Sequence, residues 1–246
     1  MKFFVCFAAL GLLVTAPLSG QQPKSQEEVN ALIALQNAQT PEQRIEAAEK
    51  LLTDFKDTEF KETANYVLML AHQQKNDFEN MLLFGERVLA INPDNTGALI
   101  SLANAIPMRT REFDLDKDEK LAKAEDFAKR ALTLIPNLDK PNPEMPDDQW
   151  LMAKKDFMAS VYESLGLVAM KRKTYDSAEE HFRKSLEIGS EQPAAAFFYL
   201  GQALKEQGKK DEAIAALDQA ITRGDFQLGD GRPAAATLKA EIQNSK

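Results

Sequence analysis

Ala159-Ser-Val-Tyr-Glu-Ser-Leu-Gly-Leu-Val-Ala-Met-Lys-Arg-Lys-Thr-Tyr-Asp-Ser-Ala178 and Ala194-Ala-Ala-Phe-Phe-Tyr-Leu-Gly-Gln-Ala-Leu-Lys-Glu-Gln-Gly-Lys-Lys-Asp-Glu-Ala213 are two versions of one pattern. Leu165-Gly166 aligns with Leu200-Gly201, Ala178 with Ala213, Phe182 with Leu217, and Ser185 with Ala220, all at an offset of 35 residues. A fixed period of this size marks an array of small structural units. The surrounding composition favours helices: Ala, Leu, Glu, Lys and Gln dominate, and all are strong helix formers. The period-2 alternation of strands is almost absent.

Earlier units are degenerate. One ends in Ala90-Ile-Asn-Pro-Asp-Asn95, with Leu68, Phe78 and Leu82 at its apolar positions and Met69 and Met81 at positions expected to be small. The next ends at Pro136, with Leu99, Leu102, Ala103 and Ile106 in its first helix and Ala124, Ala128 and Ala131 in its second. Its excess length falls in 107–118, a loop inserted between two helices. Residues 25–60 form a weaker pair, in which Thr40-Pro41 reads as a helix start because threonine caps and proline suits the first helical position. Ala47, Ala48, Leu51, Leu52 and Phe55 then recur at helical spacing. Pro141, Pro143 and Pro146 mark a linker over 137–149. Asp147 or Asp148 is expected to cap a long helix beginning near Trp150. Arg232-Pro233 opens a terminal helix within 226–246.

The pattern resembles the tetratricopeptide repeat. Tyr162, Leu165, Gly166, Ala178 and Phe182 meet it in one unit, and Phe197, Leu200, Gly201, Ala213 and Ala220 in the next. Both lack the closing proline and carry Ser190 and Asp225 instead. The resemblance implies an all-α fold, a right-handed solenoid of four to five helix pairs with a C-terminal capping helix. The predicted organisation is degenerate pairs over 21–136, the linker, two units over 150–225 and the cap. In such units, Gly166 opposite Ala178 and Gly201 opposite Ala213 are expected to let the two helices approach. The stretch 48–66 loosely resembles divergent repeats of bacterial envelope-assembly proteins.

The resemblance also implies a use. The first helix of each pair lines a concave groove that holds a protein or peptide partner. Carried over, the groove residues are Tyr66, Leu70 and Gln73; Ile100 and Asn104; Glu163, Leu167 and Met170; Phe198, Gln202 and Lys205. Of the lysine and asparagine set that some members use to clamp a terminal carboxylate, only Asn104 is present.

The N-terminus differs from the rest. Lys2, an apolar run over 3–14, and Ala16, Ser19 and Gly20 match a secretory signal peptide, too short for a membrane span of about 20 residues. Cleavage is expected after Gly20, giving a periplasmic or secreted protein; an uncleaved anchor is the alternative. Cys6, the single cysteine, would be lost with it. The mature chain would then carry 29 basic against 38 acidic side chains. Such acidity disfavours nucleic acid, which needs clustered Lys and Arg. No later run of 18 apolar residues predicts a span, and oligomeric state is not legible.

The sequence points to no cofactor and no catalytic residue. His72 and His181 fall at different positions of different units, and no nucleophile elbow, phosphate loop or zinc-protease motif occurs. One alternative is a protein that binds calcium or a small ligand through the acidic loop 114–125: Asp114, Asp116, Asp118 and Glu125 match positions one, three, five and twelve of a calcium loop. Position six should be glycine and is Glu119, and Ala124, Ala128 and Ala131 place the second half on a helix. The plainer reading is an acidic loop leading into a helix N-terminus. Arg223-Gly224-Asp225 spells an adhesion tripeptide, but Gly224 reads as a helix terminator.

Overall fold

Thr40 shows how the helices begin. Its hydroxyl accepts a hydrogen bond from the Gln43 amide at 3.2 Å, the Gln43 side chain receives the Thr40 amide, and Pro41 occupies the first helical position. This capping box satisfies amides that have no partner within the helix. The computed structural model describes residues 21–227 and 231–244. The predicted signal segment 1–20 and Cys6 therefore lie outside the described residues, which form two compact units.

The first unit holds residues 21–102 with 141–143. It contains α1 (Gln26–Asn37), α2 (Pro41–Asp54), α3 (Lys61–Gln74), α4 (Phe78–Ile91) and the start of α5 (Thr96–Arg109). Each of α1 to α4 packs on its neighbour in sequence. The second unit holds 103–140 and the described residues from 144 onward. It contains the rest of α5, α6 (Lys117–Leu134), a 3-10 turn at Ile135–Asn137, α7 (Asp147–Lys171), α8 (Tyr175–Ile188), α9 (Ala194–Glu206), α10 (Lys210–Thr222) and α11 (Ala234–Asn244). Neighbours from α6 to α11 pack in sequence, and α7 also touches α9, and α9 touches α11. In the second unit the first helices of successive pairs thus lie side by side. No strand occurs among the described residues; one isolated bridge joins Gln227 and Pro233.

Three of the turns inside the pairs, α3–α4, α7–α8 and α9–α10, share one solution. Asn76, Lys173 and Gly208 all have left-handed backbones, with φ of 57°, 61° and 77°. The amide of the following residue then reaches back five residues, Asp77 to His72, Thr174 to Ala169 and Lys209 to Leu204, at 2.9, 3.0 and 2.9 Å. This is the Schellman closure, which caps orphan carbonyls and reverses the chain within a few residues. The turn between pairs at 92–95 uses side chains instead. Glu62 accepts from both Asn92 and Asn95 at 2.8 Å, and Asn95 caps α5 through the Ala98 amide at 2.9 Å.

The glycines work differently from the expectation that glycine faces alanine. A Cβ on Gly166 would lie 2.6 Å from Phe182, and one on Gly201 would lie 2.8 Å from Leu217. Each glycine makes room for the large side chain of its partner helix, and Phe182 and Leu217 are both fully buried. Burying side chains of this size contributes about 1.5–3 kcal/mol each. Ala178 and Ala213 are also fully buried, and a Cβ on Gly201 would come within 3.3 Å of the Ala213 carbonyl oxygen, so the small residues line the same seam as the large ones. Met69 and Met81 are buried where the pattern expects small residues, the flexible thioether filling an irregular space.

Three boundaries differ from the sequence reading. Helix α5 continues through Pro107 to Arg109, and α6 begins at Lys117, so the inserted loop is shorter than 107–118. Proline near a helix end forfeits only one backbone bond, and packing outweighs that loss. Helix α7 begins at Asp147, with Pro146 at the cap position and no side-chain cap. Asp147 and Asp148 sit in the first turn, where their charge favours the helix dipole. The terminal helix begins at Ala234, as Arg232-Pro233 foretells, and its cap comes from afar: Asp225 accepts from the Ala235 and Ala236 amides at 2.8 and 2.9 Å. The aspartate of the adhesion-like tripeptide is thereby used internally, while Gly224 ends α10 with φ of 98°.

Candidate functional site

The predicted groove residues fall on the first helices at i, i+4 and i+7 spacing, which places each trio on one helical face. Their depths differ. Tyr66, Ile100 and Phe198 belong to the core, with exposures of 7%, 2% and 6%. Tyr66 packs against Gly97, where no Cβ would fit, and its hydroxyl has no hydrogen-bond partner. Burial raises its pKa strongly. Phe198 meets Phe226 edge-on at 5.0 Å; the chain folded back after α10 covers it. These three residues are removed from a binding role by burial, because apolar side chains at the helix seam pack on the neighbouring helix.

The remaining positions are accessible in part. Leu70 and Gln73 on α3 are half-buried. Asn104 is half-buried and occupied: its amide donates to Ser160 at 2.8 Å, and the Ser164 hydroxyl donates to its carbonyl oxygen. It ties α5 to α7. On α7, Glu163, Leu167 and Met170 are half-buried, and on the adjacent α9 Gln202 is half-buried and Lys205 exposed. Lys205 approaches Glu241 at 3.9 Å.

Glu163 stands apart electrostatically. It accepts one hydrogen bond, from Ser185 on α8 at 3.1 Å, and no cation pairs with it. Withdrawal from water pushes its carboxyl up to about 7, against a smaller opposing effect of the Ser185 hydroxyl. Its charge in turn raises the pKa of Tyr199 on α9, which burial raises first. Nothing in the sequence pattern distinguishes Glu163 from the other glutamates; the local absence of a cation does.

The acidic loop is arranged for structure. Asp114 accepts from the Arg111 amide at 3.0 Å and pairs with Lys120, which also meets Asp116 at 2.9 Å. Glu112 pairs with Lys117 and Lys173, which hold it at about 2. Glu125 points elsewhere, to Lys129 at 2.6 Å and to Arg172. Among the described residues no three His, Cys, Asp or Glu side chains gather as metal ligands. Asp114, Asp116, Asp118 and Glu125 are not brought together because α6 starts at Lys117 and carries the second half of the would-be loop away. His72 binds Asp77 at 3.0 Å and stacks on Phe84, while His181 stacks on Tyr162. A shallow recess of 470 Å³ on α2, lined by Glu46, Glu49 and Lys75 among others, includes none of the predicted positions.

Residues 157–224 match the family model of the tetratricopeptide repeat. No curated protein matches the chain. Among solved structures, a thermophilic tetratricopeptide-repeat protein of Thermus thermophilus aligns with 88% of this chain and 98% of its own, at 19% identity and a TM-score of 0.52. PilW, a widely conserved type IV pilus biogenesis factor, aligns over 89% of each chain at 16% identity and a TM-score of 0.57. At such identities the likeness is one of fold.

Proposed function

We propose that this chain, which carries tetratricopeptide repeats over 157–224, is a non-enzymatic, exported scaffold that holds a peptide or helix of another protein. The observation that supports this is the stripe of side chains on α7 and α9. Leu167 and Met170 give an apolar strip, with the amide of Gln202 and the ammonium of Lys205 on the adjacent helix, all open to solvent in part or fully. A mixed surface of this kind on paired helices suits an extended segment or an amphipathic helix.

Gln202→Arg combined with Lys205→Glu changes the stripe while sparing the core. The wild type is expected to retain binders from a displayed peptide library, and the double variant to lose them by about tenfold or more, as for interface positions worth over 1 kcal/mol. Equal capture by both proteins would sink the groove reading. The pair Tyr66 and Phe198 would be a poor choice for this purpose, since both are buried and their loss would disturb folding.

Action in envelope assembly or trafficking is a narrower form of the same proposal. It rests on the resemblance at 48–66 and on the export segment at 1–20. PilW is described as a pilus biogenesis factor, but its likeness is of fold and names no partner for this chain. The calcium alternative is the weaker one, because three of the four carboxylates it needs, Asp114, Asp116 and Glu125, are already paired with lysine or arginine.

A further inference from the structure

Resting on the groove reading, we propose that Glu163 determines the partner's chemistry: the bound segment presents a lysine or arginine side chain to this carboxylate. Three observations carry the inference. The first is isolation. Glu163 receives a single hydroxyl, from Ser185; of the elements packed around it, α8 offers that serine and α9 offers Tyr199. Neither supplies positive charge. A carboxylate largely withdrawn from water is costly unless a cation or several donors satisfy it.

The second is contrast with Glu179, sixteen residues on. Glu179 is met by Lys209 and Arg183 at 2.8 Å and by Gln207 at 3.0 Å. Glu179 thus has its charge met by two cations and an amide, and Glu62 on α3 receives two amides, whereas Glu163 receives one hydroxyl. Glutamine at 163 could keep the hydrogen bond from Ser185, so that contact does not require the negative charge. The third is position. Glu163 shares a face with Leu167 and Met170, four and seven residues on, and so stands at one end of the stripe proposed to take the partner. A basic side chain arriving there would supply the missing charge and strengthen the carboxylate's ionised form.

Selection of displayed dodecamer peptides against wild type and Glu163→Gln, both verified as folded by circular dichroism, tests this. The expected result is a set of wild-type binders with Lys or Arg at one fixed register, a preference absent from the Glu163→Gln set. Replacing that basic residue by norleucine is expected to weaken wild-type binding about tenfold, as for loss of a charged hydrogen bond, and to leave binding to Glu163→Gln nearly unchanged. Wild-type affinity for the basic peptide should also rise between pH 6 and 8, where the carboxyl ionises. Binders without a basic register, or with the same register for both proteins, would overturn the assignment and leave the groove reading standing. No binders at all would overturn both.

Discussion

Glu163 and Glu179 show how little a residue's type says about its state. Both are half-buried glutamates on helices of one repeat. For Glu179, burial works to raise the pKa, but Lys209, Arg183 and Gln207 outweigh it and hold the group at about 2. For Glu163, burial meets only one hydroxyl and the group titrates near 7. The signs are opposite in their effect on folding. Glu179 stabilises above its unfolded value near 4.5, and that contribution is lost as pH falls toward 2. Glu163 binds its proton more tightly when folded, so its contribution is full below about 4.5 and is lost as pH rises to 7. Over that window the loss is at most about 3 kcal/mol, at about 1.4 kcal/mol per pH unit. His181 acts oppositely there, since burial lowers its pKa, so the measurement is the difference between proteins. Urea denaturation at pH 5, 6, 7 and 8 should show wild type losing stability relative to Glu163→Gln as pH rises. Parallel curves for the two proteins would mean that Glu163 stays solvated. Tyr66, Ile100 and Phe198 teach the complementary point: groove positions inferred from a repeat register turn out to be core, because register assigns a helical face and burial depends on what covers that face.

Among the elements, the within-pair turns were the least visible in advance and the most uniform in structure. Gly208 advertises a left-handed residue; Asn76 is the non-glycine type that tolerates this conformation, and Lys173 does the same work with a side chain that resists it. Lysine in this conformation costs on the order of 1 kcal/mol relative to glycine. Lys173→Gly is therefore expected to raise stability by roughly 0.5–1 kcal/mol, offset slightly by loss of the exposed pairing with Glu112, which is worth little at the surface. Thermal melting reads this directly, and a lower melting temperature for the variant would show that the Glu112 contact matters more than the backbone strain. The helices themselves were legible wherever caps and periodicity agreed, as at Thr40-Pro41. They were less so at α5 and α6, where Pro107 reads as a stop and yet lies within the final turn. Asp225 is another case. A tripeptide with a known meaning elsewhere supplies a helix cap ten residues later, a partnership that no local pattern encodes.

For the molecule as a unit, the repeat period, the acidic balance and the leading apolar segment are the sequence grounds for the proposed exported binding module. Export has its own measurement: mass spectrometry of protein recovered from the producing cell is expected to find Gln21 first, and an intact Met1 terminus on the exported protein would point to the anchor instead. The helical class, the repeat character of the stretch matched at 157–224 and part of the core, including Ala178, Phe182, Ala213 and Leu217, followed from the order of residues alone, because helix periodicity and the placement of small and large side chains are local properties that survive in one dimension. Which glycine admits which large side chain, which groove positions are buried, where the acidic loop sends its carboxylates and which glutamate is left without a cation did not follow. Those depend on which helices lie against one another, and a close approach between residues far apart in the chain, such as Asn104 and Ser160, is set by packing rather than by sequence spacing.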